Sequence, residues 1–139
     1  NNSSIKQFYI PDSDPGYSGS SYGLPIDHEG KPLQYNTHMN MFGIKGDDLI
    51  GFLNPPLSLP THIKLDVDGI EDKILQGLEN VLSTECVRSV LVESSEVYKD
   101  SHDTINEILK TNGFLLQQSE ASNPYEKHPS SYNYIFTRK

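Results

Sequence analysis

A single cysteine, Cys86, rules out an intramolecular disulfide, and no Cys/His cluster of the kind that holds structural zinc is present. A reducing, cytoplasmic setting is the expectation that follows. Basic residues are also scarce: 11 Lys and Arg stand against 19 Asp and Glu, a formal charge of −8. That balance repels a phosphate backbone, so nucleic acid is not an expected partner. Long apolar runs are missing too. None approaches the roughly 20 residues that span a bilayer, and no charged-then-apolar leader opens the sequence. With a negative mean hydropathy, the chain reads as soluble, without a membrane span. Its 139 residues suffice for one domain with one core. The first residue is Asn1 and not Met, as in a fragment or a processed product.

Residues 1–60 are dense in Gly, Pro, Ser and Asn and read as a loop-rich segment with one short strand and one short helix. The strand is Ile5 to Ile10, closed by the turn signals Pro11-Asp12 and Asp14-Pro15-Gly16. The stretch from Tyr17 to Gly23 fits a flexible linker or an ordered surface loop, its two tyrosines favouring order. The helix is Gly46 to Leu53, apolar at Leu49, Ile50, Phe52 and Leu53 behind an acidic start and stopped by Pro55 and Pro56.

Residues 61–139 have a different texture. Ile63 to Val67 is a β-prone run, and Ile70, Ile74, Leu75, Leu78, Val81 and Leu82 follow at helical spacing. Val87 to Glu93 reads as a buried parallel strand, covered on both faces. Asp103 is placed to cap a helix carrying Ile105, Ile108 and Leu109, with Asn112-Gly113 as its stop. Phe114–Gln118 and Tyr132–Thr137 make two more strands around a polar loop. The order is β-α-β-α-β-β, which predicts an α/β fold: a mostly parallel sheet with helices on its faces and an antiparallel hairpin at one edge. Ligands in such sheets bind at the carboxyl ends of strands, where Asp66, Asp68 and Glu93 lie.

Lys64-Leu65-Asp66-Val67-Asp68-Gly69-Ile70-Glu71 carries three carboxylates where a strand opens into a helix. Gly69 permits the tight turn. Acidic residues at a helix start also serve as plain caps, so both readings of an isolated D-x-D-G-x-E stand. The segment resembles the FkbM methyltransferase family, whose signature is a strand of the type I-K-I-D-V-E/D-G followed by a-E and L-x-G-a, here Ile63 to Glu71 and Ile74 to Leu78. Gly46 to Ile50 is similar to that family's L-D-D-L/I segment, Arg88 to Glu93 to its next strand ending in Glu, and Asn112-Gly113-Phe114 to its N/H-G-F. The resemblance covers residues 42–116.

The resemblance implies a Rossmann-like class I methyltransferase sheet of which this chain is the C-terminal half, using S-adenosylmethionine to methylate a hydroxyl of a sugar, glycan or other small metabolite. It implies an enzyme in the parent protein and leaves the activity of these residues alone open. One departure is large: no D-x-G-A-N-x-G-like loop and no ribose-binding acidic strand end occur here, so the cofactor-binding residues are not among those named, and the main loop is expected before Asn1. If the chain is complete, it is expected to bind the cofactor poorly or not at all.

Methyl transfer needs the acceptor oxygen in line with the methyl group and a group that takes or orients the hydroxyl proton. Asp66 is the expected catalytic residue, as base or orienting acceptor, with Asp68 beside it. Glu71 orients substrate or braces the helix start; Glu93 lines the same crevice or merely ends its strand. Asp66 and Asp68 are too few for a hard-cation cage, so no metal is expected. The five histidines, His28, His38, His62, His102 and His128, have no ligand spacing. Ser94, Ser95, Tyr17 and Tyr22 fit contact with substrate and ordinary packing alike. Lys64 is expected to reach out along its strand's edge.

Two rivals remain: a haloacid-dehalogenase-like phosphatase using Asp66 as nucleophile with Asp68, disfavoured by the 60-odd residues before the motif and by Ile70-Glu71 after it, and a non-catalytic substrate-recognition fragment. The methyl acceptor and oligomeric state are not legible.

Overall fold

The computed structural model describes residues 3–12, 19–27, 30–52, 58–67, 69–125, 127 and 129–138. Several residues singled out above, namely Asp14, Pro15, Gly16, Tyr17, His28, Leu53, Pro55, Pro56, Asp68 and His128, lie outside this set.

The N-terminal segment is more ordered than its composition predicts. β1 (Ser4–Pro11), β2 (Ser21–Tyr22) and β3 (Tyr35–Gly43) form an antiparallel sheet in the order β2-β1-β3. β1 is the predicted strand; β3 is not predicted at all. Its residues are exposed except Gly43, so it carries no burial pattern to read. It is held by backbone pairing with β1, in register from Ser4 opposite Gly43 to Ile10 opposite Thr37 and shifted by one residue at Pro11, opposite Tyr35.

α1 (Gly46–Phe52) follows, then β4 (His62–Leu65). The single helix expected over Ile70 to Leu82 is two: α2 (Glu71–Gln76) and α3 (Glu79–Ser83). The break has a clear cause. The Gly77 carbonyl accepts from the Asp47 N–H at 3.0 Å, and the Asp47 carboxylate turns back to accept from the N–H groups of Asn80 and Val81 at 2.9 and 3.0 Å. Asp47 thus caps α3 from a different helix, satisfying donors that the start of a helix leaves free. The approach is close: a Cβ on Gly46 would collide with the Leu78 side chain.

β5 (Ser89–Ser95) leads through a 3-10 turn (Glu96–Tyr98) into α4 (Lys99–Thr111), and the hairpin of β6 (Phe114–Ala121) and β7 (Ser131–Arg138) closes the chain. α4 starts four residues before Asp103, which is therefore exposed inside the helix and not its cap. Its stop is as expected, with Gly113 at φ +83°.

The second sheet has the order β4-β5-β7-β6. β4 and β5 are parallel, while β7 pairs antiparallel with both β5 and β6. The hairpin is present, but its second strand inserts against β5, so one of three pairings is parallel where a mostly parallel sheet was expected. Burial on β5 alternates, with Val90, Val92 and Ser94 buried and their neighbours half-buried. That is the mark of a strand covered chiefly on one face, correcting the expectation of equal cover on both. α2 and α4 touch each other and β5, and with them Leu65, Leu75, Leu82, Val90, Ile105, Leu109 and Phe114 form the core. The fold is α/β with a mixed four-stranded sheet and a small antiparallel one. No helix among the described residues is long and apolar enough to cross a membrane.

Removing the cap, Asp47→Ala, is expected to cost about 1 kcal/mol in urea unfolding. The neighbouring Asp48→Ala, which loses one exposed bond from the Ser3 hydroxyl, should stay within about 0.5 kcal/mol. Equal effects would remove Asp47 from its capping role.

Candidate functional site

The register of β4 on β5 sets Leu65 opposite Val92. Both are buried, and side chains alternate along a strand, so the residues that follow, Asp66 and Glu93, emerge together on the other face. Lys64, two residues before Asp66, shares that face, and its Nζ lies 2.7 Å from Asp66 Oδ2. From β7, the Ser131 hydroxyl donates to Glu93 Oε1 at 2.8 Å. Ser131 is the diagonal neighbour of Glu93, whose direct partner is Asn133.

Past the end of β4 the chain turns at Gly69, whose φ of +87° is costly for any residue with a Cβ. The Gly69 N–H donates to the Val67 carbonyl at 2.7 Å and, more weakly, to Glu71 Oε1 at 3.4 Å. Glu71 is 5% exposed and braces this turn; α2 itself has no side-chain cap. The Tyr98 ring lies against Gly69, where a Cβ would come to 3.1 Å of it, and the Tyr98 hydroxyl donates to the Asp27 carbonyl at 2.7 Å. One tyrosine thus joins the N-terminal loop, the turn after β4 and the end of β5.

These groups enclose a cleft of about 100 Å³. Asp66, Glu71 and Glu93 share its wall with Gly69, Ser94, Ser95, Tyr98 and Ser131. Three of the four carboxylates picked from the sequence are therefore brought together; the fourth, Asp68, is among the residues outside the described set. Ser94 and Ser95 were legible as strand-end hydroxyls. Tyr98 and Ser131 were not: neither sits in a motif, and each arrives from another element through the fold. Ser95 is also committed locally, donating to the Ser130 carbonyl at 3.0 Å and accepting from the Val97 N–H at 3.2 Å.

The Lys64 ammonium, through its hydrogen bond, and next a hydrogen bond with the Glu93 carboxyl, hold Asp66 below the usual carboxylate range. The same bond to Asp66 raises Lys64. Asp66 is thereby kept ionised, which suits a hydrogen-bond acceptor that orients a hydroxyl better than a strong base. The side chains of the pair are 62% and 50% exposed, so solvent screens it. Its contribution to stability is present above the unfolded carboxylate pKa of about 4 and lost as pH falls through the lower folded value. At the alkaline end it persists up to the unfolded lysine pKa of about 10.4 and is lost as pH rises through the raised one.

Among the described residues no group of three or more His, Cys, Asp or Glu is placed to hold a metal ion. His38 packs on Tyr9 and Tyr35, His62 Nδ1 lies 2.7 Å from the Ser89 hydroxyl, and His102 packs on Tyr134. A second, larger groove of about 610 Å³ adjoins the cleft at Gly69, between the small sheet and α2, with Tyr22 in its wall. No family model matches the chain, and neither a curated protein nor a solved structure matches it.

Replacing Lys64 by Met should raise the Asp66 pKa toward the ordinary value of about 3.9, read by carbon-detected NMR titration of the carboxyl. An unchanged titration would show that Lys64 does not set the charge of Asp66.

Proposed function

We propose that this chain forms the acceptor side of an S-adenosylmethionine-dependent O-methyltransferase of the FkbM type, acting on a hydroxyl of a sugar or small metabolite. One observation carries the reading: Asp66 and Glu93, at the carboxyl ends of the parallel strands β4 and β5, line one cleft with Glu71. Its carboxylates offer hydrogen-bond acceptors, a lining suited to a ligand that donates through hydroxyl groups. A Rossmann-like sheet, of which β4 and β5 are the parallel part, is the architecture this reading assumes.

The cleft suits a hydroxyl-bearing carbon and the methyl group it receives. At about 100 Å³ it lies well below the roughly 300 Å³ at which ligand pockets begin, so the body of the cofactor is assigned to none of these residues. When bound, the cofactor supplies an electrophilic methyl group. The protein's part is positional. Asp66, held anionic, accepts the hydrogen bond of the acceptor hydroxyl and aligns its oxygen; Glu93, fixed by Ser131, flanks it; Glu71 holds the Gly69 turn that shapes the wall. The hydroxyl proton leaves to solvent as the oxygen bonds the methyl carbon, since a carboxylate held below its usual range orients the hydroxyl better than it keeps a proton.

The test is transfer of labelled methyl from S-adenosylmethionine to a panel of sugars, sugar phosphates and polyols by the protein carrying this sequence. Asp66→Asn is expected to lower kcat by about 100-fold or more with an unchanged melting curve, since Asp66 is half-exposed. Absence of transfer to any hydroxyl, or magnesium-dependent phosphate release that Asp66→Asn abolishes, would overturn the reading, the latter in favour of the dehalogenase-like phosphatase.

A further inference from the structure

The 610 Å³ groove is of ordinary ligand size, and its charge is the reverse of the chain's. Three of only 11 basic residues, Lys6, Lys45 and Lys73, line it, and no carboxylate does so among the described residues. They come from β1, from the link between β3 and α1, and from α2. Among the described residues none of the three makes an ion pair. In a chain of net charge −8, three ammonium groups around one concavity, without an ion pair among the described residues, make it locally positive.

The remaining wall is mostly apolar and aromatic, with Ile44, Ile70, Ile74 and Tyr22, beside the polar Ser4, Gln7 and Ser21. Lys6 Nζ stands 5.9 Å from the centre of the Tyr22 ring, whose hydroxyl is anchored on the Ser4 carbonyl at 3.0 Å. An anion with an apolar or aromatic part satisfies both halves of the wall. S-adenosylmethionine does not: its sulfonium and ammonium outweigh its one carboxylate, and the lysines repel it. Gly69 belongs to both concavities, so a ligand seated in the groove reaches the carboxylate cleft at that point.

We propose that the groove binds a soluble phosphate ester with an apolar or aromatic part, and that such an ester is the hydroxyl acceptor. The second half rests on the O-methyltransferase reading above; the first does not. The phosphate pairs with Lys6, Lys45 and Lys73 while a hydroxyl of the same molecule extends past Gly69 to Asp66 and Glu93.

Calorimetry without S-adenosylmethionine, using phenyl phosphate, phenol and inorganic phosphate on the whole chain, tests the groove directly. Phenyl phosphate is expected to bind more tightly than either part alone, and more weakly as salt rises. The triple variant K6Q/K45Q/K73Q should lose at least about tenfold in affinity, at up to about fivefold per lysine, with Lys110→Gln on α4 unchanged. Equal affinity for phenol and phenyl phosphate, undiminished binding in the triple variant with a native melting curve, or no binding would overturn the proposal. Co-sedimentation with phosphatidic acid vesicles that the triple variant abolishes would overturn the assignment to a soluble ester. The two readings separate cleanly: phenyl phosphate binding without methyl transfer sinks O-methylation and the acceptor role but leaves the groove, whereas methyl transfer without phenyl phosphate binding does the reverse.

Discussion

The pairing of β4 with β5 is the constraint on which the rest depends. Burial of Leu65, Val90 and Val92 fixes which face of each strand meets α2 and α4. A slip by one residue would turn that set toward solvent, so the register is strongly specified. Once it is set, Asp66 and Glu93 must emerge side by side, close enough for a hydrogen bond between them. Lys64 on one side and Ser131 on the other complete the hydrogen bonding. Apolar burial on one face thus compels an electrostatic arrangement on the other.

A second constraint ties the N-terminal segment to this frame. Asp47 is bound through its N–H to Gly77 and through its carboxylate to the start of α3, and Tyr98 reaches the Asp27 carbonyl. Between these two fastenings the small sheet faces α2, and the space left there is the lysine-lined groove. The break at Gly77 that divides the predicted helix is therefore part of how the groove acquires its far wall.

What the sequence displays and what it hides follow from the same physics. The strand ends carrying Asp66 and Glu93 are legible because apolar runs stop at a carboxylate, and the C-terminal hairpin because two apolar runs lack a helix between them. β3 is hidden because its exposed residues carry no burial period; only backbone pairing holds it. The insertion of β7 against β5 is hidden because a hairpin pattern specifies which strands pair with each other and not which neighbour they join. Tyr98, Ser131 and the three groove lysines lie far apart in the chain and are assembled by tertiary packing, for which no local spacing exists. Asp47 is visible as an acidic helix start, yet the helix it caps is α3 and not its own α1.

Amide chemical-shift mapping of the protein carrying this sequence, as S-adenosylmethionine is added, tests the central claim most directly. If the carboxylate cleft receives the transferred methyl group, the perturbed amides should centre on Val67, Gly69 and Glu71 and on Ser94 and Ser95. Perturbations confined to Lys6, Lys45 and Lys73, or none at the ends of β4 and β5, would contradict it.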